Sequence, residues 1–567
     1  MNKKSIIMQL LLLAFFTFLI YSNTINGEFL FDDEHFIVRN PYIRDWSCIK
    51  DIFFTNVTSG IGFKDNFYRP LSIFVWLIIN KTFGLNPVAF HLTNIFIHIS
   101  CGILIYLLLQ KLFKSQIASF IGSAFFLANP LNTEIISYAS GTGDILSFGC
   151  LLLAIFAFLK IYPVRNEQLP VSNRVNPTLP EKPLRKGWVY YTLFCISTIL
   201  AILAKERAIM MIFLLPLLEI SFLNTNRRKM NSNVIAGGEI PRLSLRGVPL
   251  AGRRSNLRTE LEQAPQSHIL QFATYGFLIL VVAAWFFLRL TVFNFQNSFN
   301  FYQTANIYSQ NLSVRIFTFF HSFLVYLKLL LIPYPLYMER TIPVFTYFLQ
   351  PKVLFGFFLL IIGLILAIRS FNKKRIFFFS YFWFLIALAP TSGIIPVNAL
   401  IMEHWLYFSL FGISVLIASW VNSRPTLKNI FLFCILIWGG LTFYQNRVWK
   451  NPYIFFQHIL KYNPDSVAAN NNFAMALVEK GELDKSIYHY KKAISLSDTF
   501  SQPHHNLARI YIAKNDLRNA IDEYNRALEI DPNFVFTHQD LANIWAQLGE
   551  KQKAEYHQRR VTEILKK

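Results

Sequence analysis

Four carboxylates, three of them consecutive, and a histidine crowd the stretch Glu28-Phe29-Leu30-Phe31-Asp32-Asp33-Glu34-His35, directly after a first apolar segment at 5–22. A carboxylate held within hydrogen-bond reach of a hydroxyl can act as a general base, and neighbouring carboxylates can also hold a divalent cation. Three in a row is unusual in a chain with only 32 acidic residues. Candidate anion-binding groups follow in short clusters. Tyr68-Arg69-Pro70-Leu71 precedes an apolar stretch, and Phe90-His91-Leu92-Thr93-Asn94 enters the next one. His91, Asn94 and His98 share one helical face there. Asn129-Pro130-Leu131-Asn132-Thr133-Glu134 opens a turn that Gly141-Thr142-Gly143-Asp144 closes, and Lys205-Glu206, Glu339-Arg340 and Glu403-His404 mark three further turns. Singly, each reads as an interfacial anchor or a helix end. A single topology puts them all on one side of a membrane, where polar groups at depth are costly and mark a site.

The elements that must position them are membrane helices. The chain has 567 residues, 54% hydrophobic and 15% charged, with 58 Phe. Repeated long apolar runs at that composition indicate a polytopic membrane protein. The net charge of +22 lies largely in short segments between those runs, as in cytoplasmic loops, so it does not call for nucleic acid. Lys3 and Lys4 place the N-terminus inside, ahead of an uncleaved anchor at 5–22. Spans are expected at 92–110, 116–130, 143–160, 187–204, 207–222, 268–290, 352–369, 376–390, 403–421 and 427–445, about 11 in all. The stretch 72–83 reads as interfacial or re-entrant. Segment 312–333, with Arg315, His321 and Lys328, reads as a membrane-surface or re-entrant helix within an external loop, 291–350, which keeps the basic cluster Arg369, Lys373, Lys374 and Arg375 inside; the other external loop is 23–70. Segments 163–186 and 223–266 read as basic cytoplasmic linkers.

From about Asp465 the composition turns polar and helix-forming, and a 34-residue period appears. Ala474, Ala508 and Ala542 share one register, as do Ser486, Ala520 and Ala554. Small residues at those positions let paired helices stack, so 465–567 is expected to hold three tetratricopeptide repeats with a concave face for a protein partner. The five cysteines show neither a disulfide framework nor metal-ligand spacing.

The order of these motifs resembles the transmembrane and tetratricopeptide-repeat O-mannosyltransferase family: an acidic pair after the first span, Tyr-Arg-Pro-Leu, Phe-His-X-X-Asn, Asn-Pro-X-X-Thr-Glu, Gly-X-X-Asp, Ala-Lys-Glu, then the repeats. The resemblance implies an all-α chain, with a GT-C-type membrane domain over 1–450. It implies a glycosyltransferase that moves mannose or another hexose from a polyprenyl-phosphate donor to Ser or Thr hydroxyls of a protein acceptor. Asp32 or Asp33 would be the base, and Arg69, His91, Lys205 and Arg340 would surround the donor phosphate. Glu34, Asn94, His98, Glu134, Asp144, Glu206, Glu403 and His404 complete the candidate site. Two positions depart from the family pattern: Asp144 follows Gly-Thr-Gly rather than Gly-Arg-Ala, and His404 stands where arginine is common. A lipid-phosphate donor requires no nucleotide site, and the chain has no Gly-rich phosphate loop. No cofactor is expected, and a divalent metal at Asp32, Asp33 or Glu34 is the less favoured option. The expected location is a bacterial inner membrane with the site and repeats periplasmic, or the endoplasmic reticulum with both lumenal. The rival readings are a non-catalytic anchor presenting the repeats as a scaffold, and a transporter, which the near absence of charge within the spans disfavours.

Overall fold

Apolar runs long enough to cross a bilayer fold as helices throughout the first four-fifths of the chain. The computed structural model describes residues 3–57, 67–162, 184–223, 271–291, 306–373, 375–397 and 399–565. Most of the two basic linkers therefore lies outside the described residues. Among those described, eight helices have the length and composition to cross a membrane, and four further apolar helices are shorter. The chain is a multi-pass membrane protein.

The membrane helices, in chain order, are α1 (Lys3–Tyr21), α2 (Pro70–Phe83), α3 (Pro87–Phe113), α4 (Gln116–Leu127), α5 (Thr142–Ile161), α6 (Leu184–Ala204) and α7 (Met211–Phe222). They continue as α8 (Gln271–Leu290), α9 (Leu312–Leu331), α10 (Pro351–Ser370), α11 (Arg375–Leu388), α12 (Leu410–Ser423) and α13 (Leu427–Gln445). The chain divides into two compact units. The first comprises the N-terminal residues to Gly27, 32–336 and 342–446. The second comprises Glu28–Phe31, Tyr337–Thr341 and the chain from Arg447 onward.

In the first unit α3 and α5 lie at the centre of one hydrophobic core, with Phe126, Phe148, Phe158 and Trp383 fully buried in it. Helix α4 has only 12 residues and is buried on most of its surface. Its Ala118, Ser119, Gly122, Ser123 and Ala124 let neighbours approach closely, as small residues do between membrane helices. A Cβ at Gly122 would stand 2.9 Å from the Ser414 carbonyl of α12.

Two expectations need adjusting. Segment 312–333, assigned to an external loop, forms a helix of 20 residues that is apolar enough to cross. Its one buried arginine is absorbed by carbonyls: Arg315 Nε donates to Gly393 O at 2.6 Å, and Nη1 to Ser309 O at 2.9 Å. The span placed at 403–421 begins instead as a short helical turn, Glu403–Leu406, followed by α12. That turn brings Glu403 and His404 down among other polar groups.

In the second unit, α14 (Pro452–Tyr462) precedes three antiparallel pairs: α15 (Val467–Glu479) with α16 (Leu483–Leu496), α17 (Ser501–Ala513) with α18 (Leu517–Ile530), and α19 (Val535–Gln547) with α20 (Lys551–Leu565). Ala474, Ala508, Ser486 and Ala520 are buried where the helices meet. Each pair also carries one interlock between its two helices at equivalent positions, 19 residues apart. Asn470 meets His489 at 2.9 Å, His504 meets Glu523 at 2.6 Å, and His538 meets His557 at 2.8 Å. The interlock recurs with the 34-residue period while its chemistry changes from repeat to repeat.

Candidate functional site

The loop after α1 turns abruptly before its acidic pair. Phe31 adopts a left-handed backbone, φ +48°, a costly conformation for a non-glycine residue. Asp32 and Asp33 follow, leading into a single π turn at Glu34–Val38. The two carboxylates have different environments. Asp33 is fully buried, and its Oδ1 accepts a hydrogen bond from the Ser140 backbone N–H at 2.7 Å. Asp32 is half-buried, and its own N–H donates to the Tyr138 hydroxyl at 2.7 Å. Burial, and then the charges of Asp32 and Asp33, push the Tyr138 hydroxyl pKa well up, so it stays a neutral phenol. Glu34 turns away to an exposed pair with Arg39.

The segment holding Asp33 runs from Tyr138 to Thr142, and Asn94 clamps it. Asn94 Nδ2 donates to Tyr138 O at 2.8 Å, and its Oδ1 accepts from Thr142 Oγ1 at 2.7 Å. The two glycines nearby are steric requirements. A Cβ at Gly141 would meet Ile135 O at 2.1 Å, and one at Gly143 would meet Ser72 Oγ at 2.6 Å. The Gly-Thr-Gly departure from the family pattern thus lets α2 close on the start of α5.

One residue past Gly143, Asp144 lies in a buried charge cluster. Lys205, Arg207 and Arg69 are its cationic neighbours, and the His404 imidazole lies among them. Lys205 pairs with it directly, the side chains being 12% and 6% exposed. Arg207 Nη1 stands 3.9 Å from Asp144 Oδ1. Arg69 Nε lies 3.3 Å from Glu206 Oε2, and the Tyr68 N–H donates to Glu206 Oε1 at 3.1 Å. His404 is held by Glu134, through Nδ1 at 2.7 Å and through its backbone N–H at 2.9 Å. Burial, and then the charge of Arg69, bring the Lys205 amine down to about 8.

The sequence-derived set is therefore only partly brought together. Arg69, Glu134, Asp144, Lys205, Glu206 and His404 form one cluster, with Glu403 buried beside His404. Asp32, Asp33 and Asn94 meet at the segment that leads into it. His91 is buried with neither ring nitrogen in hydrogen-bond geometry, the Gly27 backbone being its near polar neighbour. His98 lies instead in the aromatic core, its Nδ1 2.8 Å from the Tyr407 hydroxyl and its ring packed against Tyr21 and Phe126. Arg340 falls in the second unit, stacked 4.1 Å over Tyr337. Among the described residues no group of three or more His, Cys, Asp or Glu side chains could hold a metal ion.

Two residues were missed. Tyr138 has no sequence signal beyond its place in the turn. Arg207 had one: it completes Lys205-Glu206-Arg207, a charged triplet between apolar runs. Its Nη2 donates to Trp405 O at 2.9 Å, and its guanidinium lies 5.5 Å from the Phe408 ring. Nε and Nη1 are buried without a hydrogen-bond partner. Arg69 and Lys205 are each engaged by a carboxylate, so Arg207 holds the cluster's unspent donors.

Most of the chain is similar to curated protein O-mannosyl-transferases. Over 86% of its length the chain is 24% identical to the protein O-mannosyl-transferase TMTC1 of Homo sapiens, covering 54% of that protein. It is 23% identical to human protein O-mannosyl-transferase TMTC3 over 83% of its length and 50% of that protein. Tetratricopeptide repeat models match 467–500 and 508–549. The chain is thus similar over most of its length to transmembrane and tetratricopeptide-repeat O-mannosyltransferases. It spans about half the length of the curated relatives it matches. Solved structures that align with it include the apo oligosaccharyltransferase of Archaeoglobus fulgidus, with 13% identity, 78% of this chain, 56% of that chain and a TM-score of 0.38. Another is ArnT from Cupriavidus metallidurans bound to undecaprenyl phosphate, with 12% identity, 94% of this chain, 80% of that chain and a TM-score of 0.37.

Proposed function

We propose that this chain is a GT-C-type glycosyltransferase that moves a hexose, mannose by family, from a polyprenyl-phosphate donor to Ser or Thr hydroxyls on the external face of the membrane. The observation that carries the reading is Arg207. A buried guanidinium whose Nε and Nη1 lack hydrogen-bond partners, and whose nearest carboxylate, Asp144, is already paired with Lys205, is costly unless a further anion completes it. A lipid phosphate supplies that anion, and its negative charge grows as the sugar bond breaks, so fixed donors stabilise the transition state more than the ground state.

Asp32 is the base in this reading. Its carboxylate is the more exposed of the two, whereas Asp33 is fully buried and accepts from the Ser140 N–H. The hydroxyl oxygen attacks the anomeric carbon as its proton passes to Asp32, and the electron pair of the sugar–phosphate bond leaves with the phosphate. Direct attack inverts the anomeric configuration. His91 and His404 are the neighbouring imidazoles that can donate to donor or phosphate oxygens, and the repeats recruit the acceptor or a partner protein. No metal or other cofactor takes part in this scheme.

The test is glycopeptide mass spectrometry on externally exposed proteins from cells lacking the chain, complemented with wild type, Asp32→Asn or Arg207→Met at matched expression. A hexose-sized adduct restored by wild type alone supports the proposal. Equal restoration by all three, or no glycan change with a restored phenotype, refutes it and favours a scaffold.

A further inference from the structure

A second amphipathic site lies away from the charge cluster and shares no residue with it. A crevice of about 270 Å³ opens between the start of α11, the end of α12 and the first turn of α13. Ile376, Phe377, Leu416, Trp420 and Leu427 form its apolar walls, and Ser419, Ser423 and Arg424 its polar side. Trp420 stacks on Phe431, which fixes one wall. No acidic residue lines the crevice. Arg424 is exposed, and its guanidinium has no ion-pair partner among the described residues. The surrounding helix ends add Arg369, Lys373, Arg375 and Lys428.

We propose that this crevice binds an anionic, phosphate-headed lipid. The phosphate would sit at Arg424 with the serine hydroxyls, and an acyl or prenyl chain would run along Phe377, Leu416 and Trp420. Three features favour this occupant over a peptide or a soluble anion. The walls are continuous with a lipid-facing helix surface, where Ile430 and Phe433 are exposed. A tryptophan and an arginine lie one helical turn apart at a helix end, the position at which such side chains meet headgroups. The basic residues are unbalanced by acids, which attracts anionic lipid. Two sources share this chemistry: bulk anionic phospholipid, and polyprenyl phosphate, the lipid product that the proposed transfer would release.

The experiment is thermal stability and native mass spectrometry of the purified full-length chain in detergent. Phosphatidylglycerol, phosphatidylcholine or a polyprenyl phosphate is titrated into wild type, Arg424→Gln and Arg424→Glu. Wild type should show saturable stabilisation by an anionic lipid, and charge reversal should weaken its apparent affinity by about tenfold. The Gln variant, at an exposed position, should keep the lipid-free melting temperature and lose part of the affinity. Preference for phosphatidylglycerol identifies a membrane-lipid site, and preference for polyprenyl phosphate identifies a product site. Equal response to phosphatidylcholine, or binding unchanged in the Glu variant, overturns the proposal. An inactive Asp32→Asn chain should bind the lipid like wild type, which separates this site from the transfer reaction.

Discussion

Removing either partner of the Asp144–Lys205 pair should destabilise the chain, but by unequal amounts. Both side chains are buried, so deleting one strands the other's charge, which typically costs about 3–5 kcal/mol. The surroundings break the symmetry. After Lys205→Met, Asp144 retains Arg207 at 3.9 Å. At an effective dielectric near 20, that attraction is worth about 4 kcal/mol before desolvation. After Asp144→Asn, Lys205 and Arg207 lose their direct partner, and the nearby Glu206 carboxylate is already paired with Arg69. Asp144→Asn should therefore cost the full ~3–5 kcal/mol, Lys205→Met ~1–3 kcal/mol, and the pair of changes less than their sum. Thermal unfolding of the purified chain in detergent, with single and double variants compared, measures all three. A Lys205→Met chain as unstable as Asp144→Asn would mean that Arg207 does not hold the Asp144 charge.

Four other outcomes follow from the same geometry. Asp32→Asn should abolish transfer with little change in melting temperature, while Asp33→Asn should lower the melting temperature because a buried hydrogen bond to Ser140 N–H is weakened; the reverse assignment would exchange the two roles. Transfer in vitro should decline as pH rises through about 8, where Lys205 loses its proton, and Arg69→Gln should move that limb upward because one nearby cation is gone; a limb that stays or moves down contradicts this. Gly143→Ala should destabilise by about 1–3 kcal/mol through overpacking against Ser72, whereas Gly187→Ala, with open space around it, should be neutral; circular dichroism melts compare them. In the last repeat, burial and then the His538 charge bring the His557 pKa down to about 4, so the unfolded chain takes up its proton first. Stability of the repeats should be complete above about pH 6.5 and decline toward pH 4, and His557→Gln should flatten that decline in pH-dependent hydrogen exchange.

Much of the architecture could be read from apolar periodicity and composition, because membrane helices and 34-residue repeats are both set by local pattern. Segment 312–333 has the length and composition of a span, while its Arg315, His321 and Lys328 argue against a lipid-facing one. Sequence does not reveal that a carbonyl from the 391–393 turn meets the arginine. The site was legible as a set of motifs but not as a partition. His98 and Asn94 share a helical face with His91, yet His98 points into aromatic packing and Asn94 into the 138–142 segment. Arg207 escaped notice because its significance lies in what it lacks, two hydrogen-bond partners, and that is visible only once its neighbours are placed.

The short, buried helix α4 sets an order on how the chain is built into a bilayer. At 12 residues it rises about 18 Å, against a hydrocarbon core of about 30 Å. Alone it is a poor candidate for stable insertion, and it emerges from the ribosome long before the partner it needs. Its close-packed face is completed by α12, nearly three hundred residues later, where Gly122 meets the Ser414 carbonyl. The early helices must therefore wait in a loosely packed state, sheltered as the α3–α4 hairpin, until the last membrane helices arrive. Nascent chains arrested before residue 410 should retain an unguarded notch along α4, open to crosslinking by insertion machinery, and chains arrested beyond α13 should have closed it.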